Sequence, residues 1–154
     1  MGVSQPSARA AEVELDAEDI ILLILESNER LLGKKQLRGI TRLEKLAFLL
    51  QKETGFEGIA QLLVFTPYLF GPYSVQIKNA ADFLEGIHLI DVEVIDLERS
   101  ESELDEEFLT DVGERRMEYR YSLLERGRRV AAMWRESLPA SDLAAIDLIV
   151  GRYG

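Results

Sequence analysis

The chain has 154 residues, of which 47% are hydrophobic and 30% are charged, and its formal net charge is −10. This length and composition predict a folded globular domain and exclude a disordered chain. The absence of cysteine excludes a disulfide scaffold and every thiolate metal site. No run approaches the roughly 18 apolar residues of a membrane span, and the first residues lack the apolar segment of a signal peptide. We therefore expect a cytoplasmic protein without a membrane partner.

The charge is segregated along the sequence. Residues 12–29 carry seven acids and no base, and residues 91–114 carry eleven acids and one base. Residues 30–45 carry six bases and one acid, and residues 115–135 carry seven bases and two acids, so each of these stretches has a net charge of +5. A phosphate backbone meets a local patch rather than the total charge, so nucleic acid stays compatible with the acidic total. The alternative is that the acidic and basic stretches neutralise each other within the fold.

The N-terminal third predicts a flexible lead and two helices. Residues 1–14 offer little to bury and are expected to be flexible. A helix is expected over residues 16–31, and its aliphatic run at residues 20–25 places it in the centre of the core. Thr41 is expected to cap a second helix, amphipathic and basic, that ends before Gly55.

The middle of the chain predicts a strand, a sharp turn and a third helix. The aromatic and β-prone run 63–70 reads as one strand, and Pro67 within it suits a sheet edge. Residues 71–74, Gly-Pro-Tyr-Ser, are expected to form a structural turn. Ser74 is expected to cap a helix that ends near Gly86.

Two alternating segments predict a two-stranded ribbon. Residues 89–97 and 116–124 both alternate apolar with polar side chains, as half-buried strands do. Residues 98–114 between them are too acidic to be buried, so we expect a long hairpin tip. Their spacing matches no calcium loop, and a solvated acidic loop is the simpler interpretation.

Two amphipathic helices are expected after the ribbon. The first runs over residues 124–138 with Val130, Met133, Trp134 and Leu138 on one face, and Pro139 stops it. The last is capped by Ser141 or Asp142, and its apolar stripe comprises Leu143, Ile146, Ile149, Val150 and Tyr153. These helices either complete the core or form the contact of a homodimer.

Three helices followed by a two-stranded ribbon is the order of a winged helix, which is a helix-turn-helix variant. The run 121–128, Tyr-Ser-Leu-Leu-Glu-Arg-Gly-Arg, resembles the Y-x-L-T-x-x-G-(R/K) signature that closes the wing in many winged-helix transcription regulators, with Leu124 in place of Thr. Here sixteen or more residues separate the second helix from the third, whereas about three or four form the usual turn. The predicted fold class is therefore α+β and winged-helix-like, with a β-wing and two further C-terminal helices.

A second resemblance covers about residues 15–95. The run 39–50 followed by Phe-Gly-Pro-Tyr-Ser at 70–74 is similar to the YwgA-like proteins and the Panacea antitoxin domain, whose pattern is L-Q-K-L-x-Y-x-L and then Y/F-G-P-Y-S. This chain has Glu44 for Gln and Phe48 for Tyr. The resemblance implies a fold without known catalysis that acts either as a DNA-binding regulator or as a partner-binding antitoxin.

The candidate nucleic-acid contacts are cations near the helix starts and on the ribbon, together with three polar residues at the start of the third helix. Cations of this kind position a protein on phosphates, whereas Gln and Asn can also meet base edges. For each arginine the alternative is a surface ion pair with the acidic stretches. The alternative does not explain why cations 126, 128 and 129 stand at a helix start, where the helix dipole disfavours them. The candidates are Lys34, Lys35, Arg38, Arg42, Gln76, Lys78, Asn79, Arg115, Arg116, Arg120, Arg126, Arg128 and Arg129.

The sequence gives no support to an enzyme, a metal site or a cofactor. It has one histidine, His88, and no phosphate-binding glycine loop, zinc-ligand pair or nucleophile elbow. We interpret His88 as a packing or capping residue, and Tyr68 and Tyr73 as packing residues rather than platforms for bases.

These observations divide the chain into a lead at 1–14, a winged-helix-like domain at 15–138 with an acidic wing tip at 98–114, and a C-terminal helix at 139–154 that is a candidate dimer contact. We predict a DNA-binding transcription regulator that acts on double-stranded DNA as a homodimer. The alternative is a non-catalytic interaction module of antitoxin or adaptor type with a protein partner.

Overall fold

The computed structural model describes residues 15–53, 63, 65–68, 71–97 and 117–154. The predicted flexible lead, the acidic tip, Arg115 and Arg116 lie outside these residues. The chain is α+β, as predicted. Its helices and strands are α1 (Ala17–Leu32), β1 (Leu37–Arg38), α2 (Ile40–Glu53), β2 (Thr66–Tyr68), β3 (Gly71–Tyr73), α3 (Val75–Gly86), β4 (Ile90–Asp96), β5 (Met117–Leu123), α4 (Glu125–Ser137) and α5 (Ala140–Tyr153).

Helix α1 is the centre of the core. All six residues of its aliphatic run, 20–25, are buried, and the helix packs against each of the other four helices named above. Asp16 caps its N-terminus in a reciprocal arrangement with Asp19, and Gly33 ends it. The predicted central helix is confirmed, because an apolar surface on all sides of a helix is stable only when it is surrounded.

The ribbon is also confirmed, and a third strand widens it. Strands β4 and β5 pair antiparallel with Ile90 opposite Leu123, and β1 pairs with the other edge of β5 with Leu37 opposite Tyr121. The strand order is thus β1-β5-β4. These four residues are buried and form the inner face of the sheet. Side chains alternate along a strand, so the neighbouring residues Arg38 and Arg120 lie on the outer face.

The strand predicted at residues 63–70 is confirmed only at Thr66–Tyr68, and the turn predicted at 71–74 is wrong because Gly71–Tyr73 is a strand. Strands β2 and β3 form a small antiparallel pair of their own, with Pro67 opposite Pro72. A proline cannot donate to a ladder, which suits a two-stranded sheet where every strand is an edge. Ser74 does cap α3 as predicted, because its hydroxyl accepts a hydrogen bond from the N–H of Ile77 at 3.3 Å.

The C-terminal helices belong to the core of the chain. Pro139 both follows α4 and precedes the first turn of α5, so the predicted cap at Ser141 or Asp142 lies two or three residues too late. All five residues of the predicted stripe of α5, from Leu143 to Tyr153, are buried or pack against the core. Met133 of α4 is 65% exposed and does not pack against it. No helix among the described residues is long and apolar enough to cross a bilayer.

A polar network fastens the two C-terminal helices to α1. Asp147 of α5 accepts hydrogen bonds from the Ser27 hydroxyl at 2.6 Å and from the Arg30 guanidinium at 2.8 Å. Arg135 of α4 lies 3.6 Å from the carboxylate of Glu26 and 3.9 Å from that of Asp147. Both C-terminal helices therefore contact α1 through polar groups as well as through their apolar faces. The homodimer stays a prediction.

Asp19 gives the fold a specific pH dependence. Its carboxylate accepts a hydrogen bond from the indole N–H of Trp134 at 2.9 Å, which joins α1 to α4. Burial, followed by a hydrogen bond with the Asp16 side chain, raises the pKa of Asp19 from 3.8 to about 6. The folded state then binds more protons than the unfolded state between about pH 4 and 6. The contribution of Asp19 to the free energy of unfolding therefore falls as the pH rises through this window.

We expect Asp19→Asn to remove this contribution, because Asn keeps an acceptor for Trp134 but does not ionise. Urea unfolding of both proteins at pH 4.5 and pH 7 measures it. The variant should gain stability relative to the natural chain as the pH rises. An equal difference between the two proteins at both pH values would contradict the raised pKa of Asp19.

Candidate nucleic-acid interface

Four of the predicted cations come together around one cleft. The cleft has a volume of about 650 Å³ and is built from the end of α1, the connection to β1, the start of α2, and β5. We call it the basic cleft. Its lining residues are Asn28, Lys34, Gln36, Leu37, Arg38, Arg42, Glu118 and Arg120.

Pairing between β1 and β5 brings two arginines to the cleft from positions far apart in the sequence. Arg38 stands directly opposite Arg120 in the register, on the same face of the sheet. Two like charges in this position repel each other. Glu118, two residues before Arg120 on the same face, relieves the repulsion: its Oε2 accepts from Arg38 Nε at 2.9 Å and from Arg120 Nε at 2.5 Å.

The charge state of this trio is fixed at neutral pH. The hydrogen bond from Arg38, followed by that from Arg120, lowers the pKa of Glu118. The same bond with Glu118 raises the pKa of Arg38. The cleft therefore presents two permanently charged guanidinium groups that converge on one carboxylate oxygen.

The start of α2 places Arg42 at the cleft. Gly39 precedes the helix with φ at 99°, a conformation that a residue with a Cβ rarely adopts. Its N–H donates to Tyr119 O at 2.7 Å and its carbonyl accepts from Leu43 N at 3.2 Å, which ties the helix start to β5. The helix therefore begins at Ile40, and the prediction that Thr41 caps it is wrong. Arg42 is exposed in a first turn that contains no acid.

The floor of the cleft is organised by Asn28, which is not among the residues predicted from the sequence. This side chain is 2% exposed, and its amide donates to the carbonyls of Lys34 at 3.3 Å and Gln36 at 3.4 Å. Gln36 in turn donates to the Glu93 carboxylate at 2.9 Å. Lys34 is thus held at the rim, whereas Lys35 is exposed but does not line the cleft. Asn28 lies among the polar and charged residues 26–30 of α1, so nothing in the sequence indicates that it is buried.

The three predicted cations of α4 do not line the cleft, and each has a partner. Arg128 forms a two-pronged ion pair with Glu29 of α1, at 2.8 and 3.0 Å. Arg126 donates to the carbonyl of Ile87 at 3.3 Å, and Arg129 lies 3.6 Å from Glu125. The hydrogen bond from Arg128 lowers the pKa of Glu29. Structural partners therefore explain the cations at this helix start, which the sequence left unexplained.

The predicted residues of α3 form a separate surface. Lys78 lies 3.6 Å from Asp82 and 6.0 Å from the centre of the Tyr119 ring. Tyr119 and Arg120 are consecutive in β5 and point to opposite faces of the sheet, so Lys78 and the basic cleft lie on different sides. Asn79 is exposed on the same helix, and Gln76 is half-buried.

The outward side of α3 is mixed in character. Val75 and Phe83 are each 53% exposed, and Ile87, just beyond the helix, is 38% exposed. Asp82 and Glu85 are exposed beside them. Acids at these positions repel a phosphate backbone, whereas exposed apolar side chains suit contact with a protein.

His88 ends α3 and does not pack in the core. It is exposed with φ at 65°, and its N–H donates to the carbonyl of Glu85 at 3.0 Å. Of the two predicted roles, the structure supports capping and contradicts packing. Within the described part of the chain, no group of three histidine or acidic side chains is placed to hold a metal ion.

Comparisons with protein-family models, with curated proteins and with solved structures find no match for this chain. The two sequence resemblances therefore rest on their own motifs. One of these motifs gains a physical basis, because Glu44 of the first run accepts a hydrogen bond from the backbone N–H of Ser74 in the second, at 3.2 Å.

Proposed function

We propose that the chain is a winged-helix-like protein that binds double-stranded DNA and regulates transcription. Three helices, α1 to α3, followed by the β4–β5 ribbon support this proposal, since a winged helix has three helices followed by a ribbon. The β2–β3 pair between α2 and α3 replaces the short turn of an ordinary helix-turn-helix. The wing-like signature at 121–128 closes β5 and opens α4, the position in which the resemblance expects it.

The observation that carries the proposal is the convergence of four cations on the basic cleft. Lys34, Arg38, Arg42 and Arg120 come from four segments of the chain and face one space with a single acid, Glu118, in its lining. Grouped cations of this kind contact phosphates and supply affinity that does not depend on base sequence. The net negative charge of the chain therefore comes from residues outside the basic cleft.

The first experiment is a fluorescence-anisotropy titration of random duplex DNA at about 50 and 200 mM salt. We expect binding that weakens steeply with salt. The triple variant Arg38→Ala, Arg42→Ala, Arg120→Ala should bind at least about tenfold more weakly at the lower salt, with a shallower salt slope, because each phosphate contact contributes a slope of roughly −0.9.

Lys52→Ala is the matched control for this experiment. Lys52 is exposed at the far end of α2, ten residues or about 15 Å along the axis from Arg42, and it does not line the cleft. This variant loses one charge from the same helix and should bind DNA like the natural chain. The proposal fails if no binding occurs at 50 mM salt, or if the control loses as much affinity as the triple variant.

A second candidate function, a protein-interaction module of antitoxin or adaptor type, is favoured by the exposed side of α3. Val75, Phe83 and Ile87 offer apolar surface next to the acids Asp82 and Glu85. A partner captured by the natural chain and by Lys52→Ala, but lost with Phe83→Ser, would support this function when DNA binding is absent. Light scattering of the same variants tests the predicted homodimer.

A further inference from the structure

Glu118 stands where an anionic ligand of the basic cleft would bind. Its carboxylate is in contact with both Arg38 and Arg120, at 2.9 and 2.5 Å. The Glu118 side chain is only 16% exposed, whereas that of Arg38 is 61% exposed. The carboxylate therefore lies deeper than at least one of the cations that hold it.

The two arginines are already oriented toward a single anion. Both donate through Nε to the same oxygen, and a second nitrogen of Arg38 lies 3.5 Å from the other oxygen of Glu118. Arginine forks recognise carboxylate and phosphate groups with the same donor geometry. A phosphate oxygen in place of the carboxylate oxygen would meet the same donors without a change of the strands.

The other two cations of the basic cleft, Lys34 and Arg42, also favour the binding of an anion. Among the described residues, neither Lys34 nor Arg42 has an ion-pair partner, and both are exposed. Four positive charges against one negative charge leave the lining with a net charge of +3. A volume of about 650 Å³ is ample for a phosphate group together with the molecule that carries it.

We infer that the basic cleft is a phosphate-binding site in which the Glu118 carboxylate is an internal stand-in that an incoming phosphate displaces from Arg38 and Arg120. The phosphate belongs either to a DNA backbone or to a small phosphorylated molecule. The first source rests on the proposed function, and the second does not.

Pyrophosphate is the probe, and its binding to the full chain is followed by NMR titration at about 50 mM salt. Glu118→Gln keeps a hydrogen-bond acceptor for the arginines but removes the competing charge. We expect this variant to bind pyrophosphate at least about fivefold more tightly, since it removes a like charge a few ångströms from the ligand. A gain of affinity cannot result from a damaged fold.

Arg38→Ala and Arg120→Ala should each weaken pyrophosphate binding about tenfold or more, because each removes a charged donor. Lys52→Ala should leave it unchanged. If Glu118 only neutralises the two arginines across the sheet, Glu118→Gln will not bind the probe more tightly than the natural chain. That result, or the absence of pyrophosphate binding to both proteins, overturns the inference.

Duplex DNA separates the two sources of phosphate. Pyrophosphate that binds the cleft and competes with DNA supports the inference with a DNA backbone as the source. Pyrophosphate that binds while DNA does not supports it with a small phosphorylated ligand, and the proposed function then fails alone. Salt-sensitive DNA binding that is unchanged in Glu118→Gln, Arg38→Ala and Arg120→Ala, together with no binding of pyrophosphate, overturns the inference. DNA binding then stands, but it takes place outside the basic cleft.

Discussion

Replacing Gly127 with alanine is expected to destabilise the fold by about 3 kcal/mol, at the upper end of the usual cost of overpacking. A Cβ at this position would lie 2.0 Å from the carbonyl oxygen of Leu89 and 3.0 Å from its carbonyl carbon. The obstacle is backbone, which cannot turn aside as a flexible side chain would. The same carbonyl accepts a hydrogen bond from the N–H of Leu124 at 3.0 Å, so moving α4 away would also strain the connection from β5.

Urea unfolding measures this loss, and Gly151→Ala is its matched control. Gly151 lies within α5, and a Cβ there would meet only the tip of Leu31 at 3.9 Å, an ordinary contact. That substitution should be neutral or stabilise by up to about 1 kcal/mol, because alanine favours a helix over glycine. Equal stabilities of the two variants would disprove the close approach of α4 to Leu89.

This result bears on the wing-like signature at residues 121–128. Its glycine is Gly127, and the structure gives it a packing reason: only a residue without a side chain lets α4 cross the Leu89 carbonyl. The signature has Leu124 where threonine is usual, and no side chain caps α4 at this position. The motif therefore describes how the ribbon joins the next helix, and DNA contact has to be tested separately.

Helices and strands whose own residues repeat apolar and polar side chains at the spacing of that structure could be predicted from the sequence. The aliphatic run of α1, the alternation of β4 and β5, and the hydroxyl of Ser74 at the start of α3 each indicate an element locally. Strand β1 has two residues and no period, because its pairing with β5, about eighty residues later, defines it. The residues of β3 were predicted as a turn because Gly71 and Pro72 are typical turn residues, and only the pairing with β2 makes them a strand.

The same distinction applies to the candidate site. Arg38, Arg42 and Arg120 were predicted as separate cations. The register between β1 and β5 brings Arg38 and Arg120 together, and the start of α2 adds Arg42. Glu118 was one polar residue in an alternating strand, and only that register places it between two arginines.

Both interpretations of the segregated charge hold for part of the chain. From the first basic stretch Lys34, Arg38 and Arg42 gather at the basic cleft, and Arg120 joins them from the second. Arg128 of that second stretch instead pairs with Glu29 of the first acidic stretch. The segregated charges thus form a basic patch beside the sheet, and acidic and basic side chains neutralise each other between α1 and α4.

Replacing Glu44 with alanine is expected to destabilise the fold by about 2 kcal/mol, within the range for a buried donor that loses its partner. Glu44 lies on α2 and is only 3% exposed. Its Oε2 accepts from the N–H of Ser74 at 3.2 Å, and the Ser74 hydroxyl in turn accepts from the N–H of Ile77. Removing the carboxylate leaves the N–H of Ser74 without its acceptor at the point where α3 begins.

Glu44→Gln separates the hydrogen bond from the charge. Burial raises the pKa of Glu44, although the hydrogen bond from Ser74 and the charge of Lys78 oppose that change. The contribution of Glu44 to stability is therefore largest at acidic pH and falls as the pH rises through its raised pKa. Glutamine keeps the acceptor without this dependence, and it is also the residue of the resembled pattern at this position.

Urea unfolding of both Glu44 variants and the natural chain at pH 5 and pH 7.5 tests these expectations. The free energy of unfolding of Glu44→Gln should equal that of the natural chain at pH 5 and equal or exceed it at pH 7.5. That of Glu44→Ala should be lower than that of the natural chain at both pH values. If glutamine costs as much as alanine, the charge rather than the acceptor holds the start of α3. If neither costs stability, the contact between α2 and Ser74 does not stabilise the fold, and the two halves of the resembled pattern have no physical link.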